Sequence, residues 1–78
     1  SNPAPVIFLA AAGGVGADLR QFIGIEDAAA GVAAIKAAGA LPIGVGKAEY
    51  LGSDIALVSD TAELTYAYLQ NVWAQSGR

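Results

Sequence analysis

Two short apolar runs, Gln21-Phe22-Ile23-Gly24-Ile25 and Leu41-Pro42-Ile43-Gly44-Val45-Gly46, stand on either side of an alanine-rich stretch that closes on Gly39. Runs of this length, rich in isoleucine and valine and bounded by turn residues, read as buried strands. The stretch from Ala28 to Ala38 carries one charged side chain, Lys36, near its end, where a cation favours a helix dipole, and Gly39 suits the left-handed position that follows. Asp27 stands where it can cap that helix. Strands joined through a crossover helix lie parallel, with a right-handed connection. Pro42 sits near the beginning of its strand, where a missing N–H is tolerated.

The rest of the chain extends this unit. Pro5 suits a first helical turn, and Val6 to Ala12 follow as an uncharged helix ended by Gly13, Gly14 and Gly16. After a loop or short turn over 47–54, Ile55-Ala56-Leu57-Val58 reads as a third strand. Asp60 and Glu63 form a capping-box-like start to a last helix, Ala62 to about Gln75. On it Leu64, Tyr68 and Val72 share one side, and Tyr66, Leu69 and Trp73 widen the apolar arc to about 200°, where one core contact needs about 100°. The expected order is α-β-α-β-β-α: one α/β unit over 1–78, a partial Rossmann-like sheet of about three mainly parallel strands flanked by helices, with strand 41–46 between strands 21–25 and 55–58.

Composition excludes several functions. Without histidine or cysteine the chain has no Cys/His zinc site, no disulfide and no imidazole acid/base. Four basic residues and a net charge of −3 leave no basic patch for nucleic acid. No apolar run reaches the roughly 18–20 residues of a membrane span, and the first residues carry no cationic leader, so the expected location is cytoplasmic. A chain of 78 residues buries only about 60–65% of its unfolded surface, and a 14% share of charged residues is low against a usual value of about 25%. Self-association is the remaining remedy for marginal stability. The absence of methionine and the start at Ser1-Asn2 suggest a processed or cloned end.

Glycine-rich segments invite a phosphate-loop reading, and both candidates fail. In Gly44-Val45-Gly46-Lys47 the residue five before Gly46 is Leu41, and Ala48 stands where a magnesium-binding hydroxyl belongs. Gly14-Val15-Gly16 follows an expected helix and has Leu19 at the third-glycine position. Glu26 and Asp27 hold more chemical promise. Adjacent carboxylates at the carboxyl end of a parallel strand, before a helix, lie where open α/β sheets bind ligands, and their oxygens suit Mg²⁺. The same pair also reads as a helix cap with a solvated neighbour.

Ser1-Asn2-Pro3-Ala4-Pro5, Gly24-Ile25-Glu26-Asp27, Gly31 to Ile35, Gly39-Ala40-Leu41-Pro42-Ile43-Gly44-Val45-Gly46, Leu51-Gly52, Asp54-Ile55 and Val72-Trp73 together resemble the β-phosphoglucomutases of the haloacid dehalogenase-like superfamily, over the last third or so of such an enzyme. The G-x-E-D-A/S-x-x-G segment resembles the wider superfamily's acidic motif, and the A-L-P-I-G-V-G run narrows the likeness to this group. The resemblance implies a Mg²⁺-dependent phosphotransferase parent that interconverts β-glucose 1-phosphate and glucose 6-phosphate through an aspartyl-phosphate. It implies a metal role for Glu26 and Asp27, and no catalytic residue here, because the family's D-x-D motif has no counterpart. The family's phosphate-neutralising lysine falls at position 2, where Asn2 stands; an amide donates a hydrogen bond but supplies no charge.

By the same resemblance Val6, Ala29, Ala33, Ala37, Ala38 and Tyr50 are apolar where the enzymes are often polar. Drift in a close relative and engineering or selection for folding alone both account for this. The combined expectation is a chain inactive alone, binding Mg²⁺ weakly or not at all, and forming a homodimer through the 21–25 strand edge or through its apolar helices, with sugar phosphate a ligand of the parent enzyme only. The alternative is a working part of a mutase or phosphatase, active only with an N-terminal portion. Trp73, Tyr66 and Tyr68 read as packing or interface residues, and Arg20 and Lys47 as solvated.

Overall fold

The computed structural model describes Val6–Ile7 and residues 18–78. A four-stranded, all-parallel sheet runs β1 (Val6–Ile7), β2 (Ile23–Glu26), β3 (Leu41–Val45), β4 (Ala56–Val58), with spatial order equal to chain order. Among the described residues three α-helices accompany it: α1 (Ala29–Ala38), α2 (Ala48–Leu51) and α3 (Tyr66–Gln75). The expected sheet, its parallel sense and the central place of the second apolar run are therefore as read from the sequence.

Alternation along the strands divides the core into two faces. Ile23 and Ile43 are fully buried, and Ile25, Leu41 and Ala56 join them against Leu64, Tyr68, Leu69, Val72 and Trp73 of the α3 segment. Gly24 points the other way, and a Cβ there would sit 2.8–2.9 Å from the branches of Ile35, so α1 lies directly on the backbone of β2. Gly44 likewise admits Leu51, Ile55 and Leu57. Three layers result, with Val32 and Ile35 of α1 buried on one face and the aromatic-rich α3 on the other.

The termini of these elements follow the side chains available. Gly39 adopts φ 86°, and its amide donates back to Ile35 and Lys36, closing α1. Lys36 pairs with Asp54 across the surface, and that hydrogen bond holds the Asp54 carboxyl below its ordinary range. Asp60 and Glu63 do form a capping box, with Asp60 Oδ1 accepting from the Ala62 amide at 2.7 Å. Glu63 Oε2 accepts from the Ser59 hydroxyl at 2.7 Å and from the Ser59 and Asp60 amides at 2.9 Å, which lowers the Glu63 carboxyl below its ordinary range.

Four expectations are corrected. Val6 and Ile7, expected in a first helix over 6–12, pair as a strand with Ile23 and Gly24; the remainder of that helix lies outside the described residues. β-Branched residues beside an open strand edge gain a ladder that the local pattern does not reveal. The box at Asp60 opens a single 3-10 turn, Thr61–Glu63, and the α-helix starts afresh at Tyr66 because the Thr65 hydroxyl accepts from the Tyr68 amide at 3.1 Å. Tyr66, placed in the apolar arc, is 60% exposed. Asp27 does not cap α1: the N-cap is Ala28, which has no side-chain acceptor.

Candidate functional site

β2 ends at Glu26, and parallel pairing with β3 and β4 brings three strand ends to one edge of the sheet. Glu26 is opposite Gly44, Val45 is opposite Val58, and the ladder closes with the Gly46 amide donating to the Val58 carbonyl at 2.8 Å. The segments leaving this edge are Asp27-Ala28, Gly46-Lys47 and Ser59-Asp60. Open parallel sheets present ligands with this edge, because every following helix starts there.

The two candidate carboxylates are brought to the edge and then treated differently. Glu26 is half-buried, and its Oε1 accepts from the Asp27 amide at 3.1 Å and the Ala28 amide at 3.2 Å. Its side chain folds back over Gly31 in the first turn of α1. Asp27 is exposed, and its carboxylate accepts no hydrogen bond among the described residues. The missing cap at Ala28 is thus compensated by a carboxylate reaching forward from the strand, whose negative charge also faces the positive end of the helix dipole.

The donor chemistry suits a hard divalent cation, but the donor number does not complete a site. Carboxylate oxygens are the ligands Mg²⁺ prefers, in near-octahedral geometry. Among the described residues no group of three or more acidic, histidine or cysteine side chains converges. Glu26 retains Oε2 for a ligand or for a metal-bound water, and Asp27 retains both oxygens. Asn2 lies outside the described residues.

Lys47 stands at the N-cap of α2, exposed on the same sheet edge, without a side-chain cap bond. Arg20 pairs with Asp18 at 3.1 Å on the surface, which lowers the Asp18 carboxyl. A groove of about 510 Å³ lies at the opposite edge of the sheet, between Lys36, Leu41, Pro42, Asp54, Val72 and Arg78. It is remote in the topology from the carboxylate pair. No helix among the described residues is long and apolar enough to cross a membrane. Sequence reasoning missed Gly31 as a member of the site, although its place in the acidic motif was visible.

No family model matches the chain. A β-phosphoglucomutase from Bacillus subtilis strain 168 is 42% identical over 75 residues, which are 95% of this chain and 33% of that protein. The crystal structure of a β-phosphoglucomutase from Clostridium difficile superposes with a TM-score of 0.78 at 36% identity, covering 88% of this chain and 31% of the other. The chain spans about a third of the length of these relatives. Over that third, in sequence and in fold, the chain is similar to the β-phosphoglucomutases.

Proposed function

We propose that this chain is the part of a β-phosphoglucomutase-type phosphotransferase that contributes the Mg²⁺-binding acidic loop, and that alone it turns over no sugar phosphate. The observation that carries this reading is a carboxylate pair at the carboxyl end of a parallel strand, one member held by backbone amides and the other exposed, with no hydrogen bond among the described residues. Asp27 would offer the direct oxygen ligand and Glu26 an oriented second carboxylate; a bound Mg²⁺ supplies charge stabilisation for a transferring phosphoryl group. With two side-chain donors the ion keeps most of its water, so binding is weak. The alternative, a working part that regains phosphoryl transfer with the rest of such an enzyme, rests on the same loop.

Titrating Mg²⁺ into the ¹⁵N-labelled chain tests the loop. Amide shifts are expected to concentrate on 26–29, to be abolished by Asp27→Asn and reduced by Glu26→Gln. Shifts that ignore Asp27→Asn would remove the loop from the reading. Incubation with Mg²⁺ and β-glucose 1-phosphate is expected to give no glucose 6-phosphate; turnover sensitive to Asp27→Asn would overturn the claim of inactivity.

A second reading, self-association of two copies, is favoured by the surface. Ala29, Ala33, Ala37 and the 68%-exposed Tyr50 lie outward, and among the described residues β4 has an unpaired outer edge. Val6–Ile7 already lies along Ile23 and Gly24, leaving less of the 21–25 edge for a partner, so we place the contact on the helical faces or on β4. Light scattering at micromolar concentration is expected to give the mass of a dimer, and a monomer mass would dismiss it.

A further inference from the structure

Gly31 is the third residue of α1, and no turn or positive φ requires a glycine there. In such a position glycine weakens a helix relative to alanine, so some other demand holds it. The demand is spatial: a Cβ on Gly31 would fall inside the van der Waals radii of Glu26 Cγ and Cδ and 2.5 Å from Glu26 Oε2. Three successive atoms of one side chain occupy that place, so no rotation of the carboxylate alone makes room. The same side chain is fixed at its other oxygen by the Asp27 and Ala28 amides.

We infer that Gly31 is the positioning residue for Glu26: its bare α-carbon is the seat on which the glutamate lies, which sets the carboxylate across the helix entrance. This deepens the proposed function and rests on it, since the seat would decide where the second carboxylate meets an ion. Any side chain at position 31 pushes Glu26 out toward solvent, loosening both amide hydrogen bonds and leaving Asp27 without an oriented neighbour. Glycine thereby trades helix propensity for the geometry of an acid five residues earlier.

A two-residue cycle tests the inference without metal. Gly31→Ala in the parent chain is expected to lower the melting temperature, against the usual direction for a helix interior. In a Glu26→Ala chain the same substitution is expected to raise it, giving a coupling of about fivefold or more in the folding equilibrium. Amide exchange at Asp27 and Ala28 should quicken in Gly31→Ala as much as in Glu26→Ala. An equal effect of Gly31→Ala in both backgrounds, or a rise in the parent chain, would overturn the inference. Should Gly31→Ala fail to fold, folding of the double variant supports the seat, and failure of that variant refutes it. Mg²⁺-induced shifts separate the two readings: their absence in the parent chain ends the metal proposal while the cycle still reads the seat.

Discussion

Ile43→Ala is expected to destabilise the chain by about 2–5 kcal/mol. Ile43 is fully buried on the central strand and, with Ile23, forms the centre of the apolar cluster that α3 covers. A domain of 78 residues has a total stability of only about 4–12 kcal/mol, so the loss approaches the whole of it at the lower end. The urea midpoint followed by circular dichroism should fall by about 2 M or more, with the slope unchanged if unfolding stays two-state. Ile43→Val, which removes one methylene, should cost about 0.5–1.5 kcal/mol. A midpoint within about 0.5 M of the parent for Ile43→Ala would show that α3 does not depend on this contact.

Gly24→Val is the second large effect, and its cause is excess rather than loss. The new Cβ alone would stand 2.8–2.9 Å from Cγ1, Cδ1 and Cγ2 of Ile35, and Ile35 is 3% exposed. A β-branched side chain in a helix has one strongly preferred rotamer, so Ile35 cannot swing clear. Either α1 lifts from the sheet or the strand bends, at a cost of about 1–3 kcal/mol or more. Hydrogen exchange should report the site of damage: amides of α1 should lose protection before those of β3 and β4. Replacing Ile35 by Ala in the same chain should recover part of the loss, because the clash and the cavity then offset one another. Uniform loss of protection across all elements would argue against a local clash.

Much of this architecture is legible from the residues because local and tertiary preferences agree. The runs around Ile23 and Ile43, the alanine-rich helix between them and Gly39 after it each specify one conformation, and the parallel pairing follows from the crossover. Asp60 with Glu63 announced a capping box, and one is present. What was not legible depends on partners distant in sequence. Val6 and Ile7 become a strand through pairing with Ile23 and Gly24, which no window around position 6 contains. Thr65 was the available signal for a second helix start, since a threonine directly before Tyr66 is a good N-cap, but the box upstream masked it.

At the candidate site the residue types were legible and their division of labour was not. Adjacent carboxylates after a strand invite the second to cap the helix, since it is nearer the helix in sequence. The pleat instead directs the Glu26 side chain back over α1, and its extra methylene lets Oε1 reach the amides of Asp27 and Ala28. Gly31 belongs with the pair for the same reason, and only the packed backbone reveals the space it leaves.

The coincidence of spatial and chain order has a consequence for synthesis on the ribosome. β2, α1 and β3 can dock as soon as Val45 has emerged, and one face of their sheet is then covered by Val32 and Ile35. Among the described residues, the opposite face, with Ile23, Ile25, Leu41 and Ile43, is covered by the α3 segment, which is complete at Gln75, thirty residues later. At about 5–20 residues per second the cover that α3 provides follows β3 by about 1.5–6 s in each round of translation. The moment of greatest aggregation risk is therefore set by the distance along the chain between a strand and the helix that shelters it.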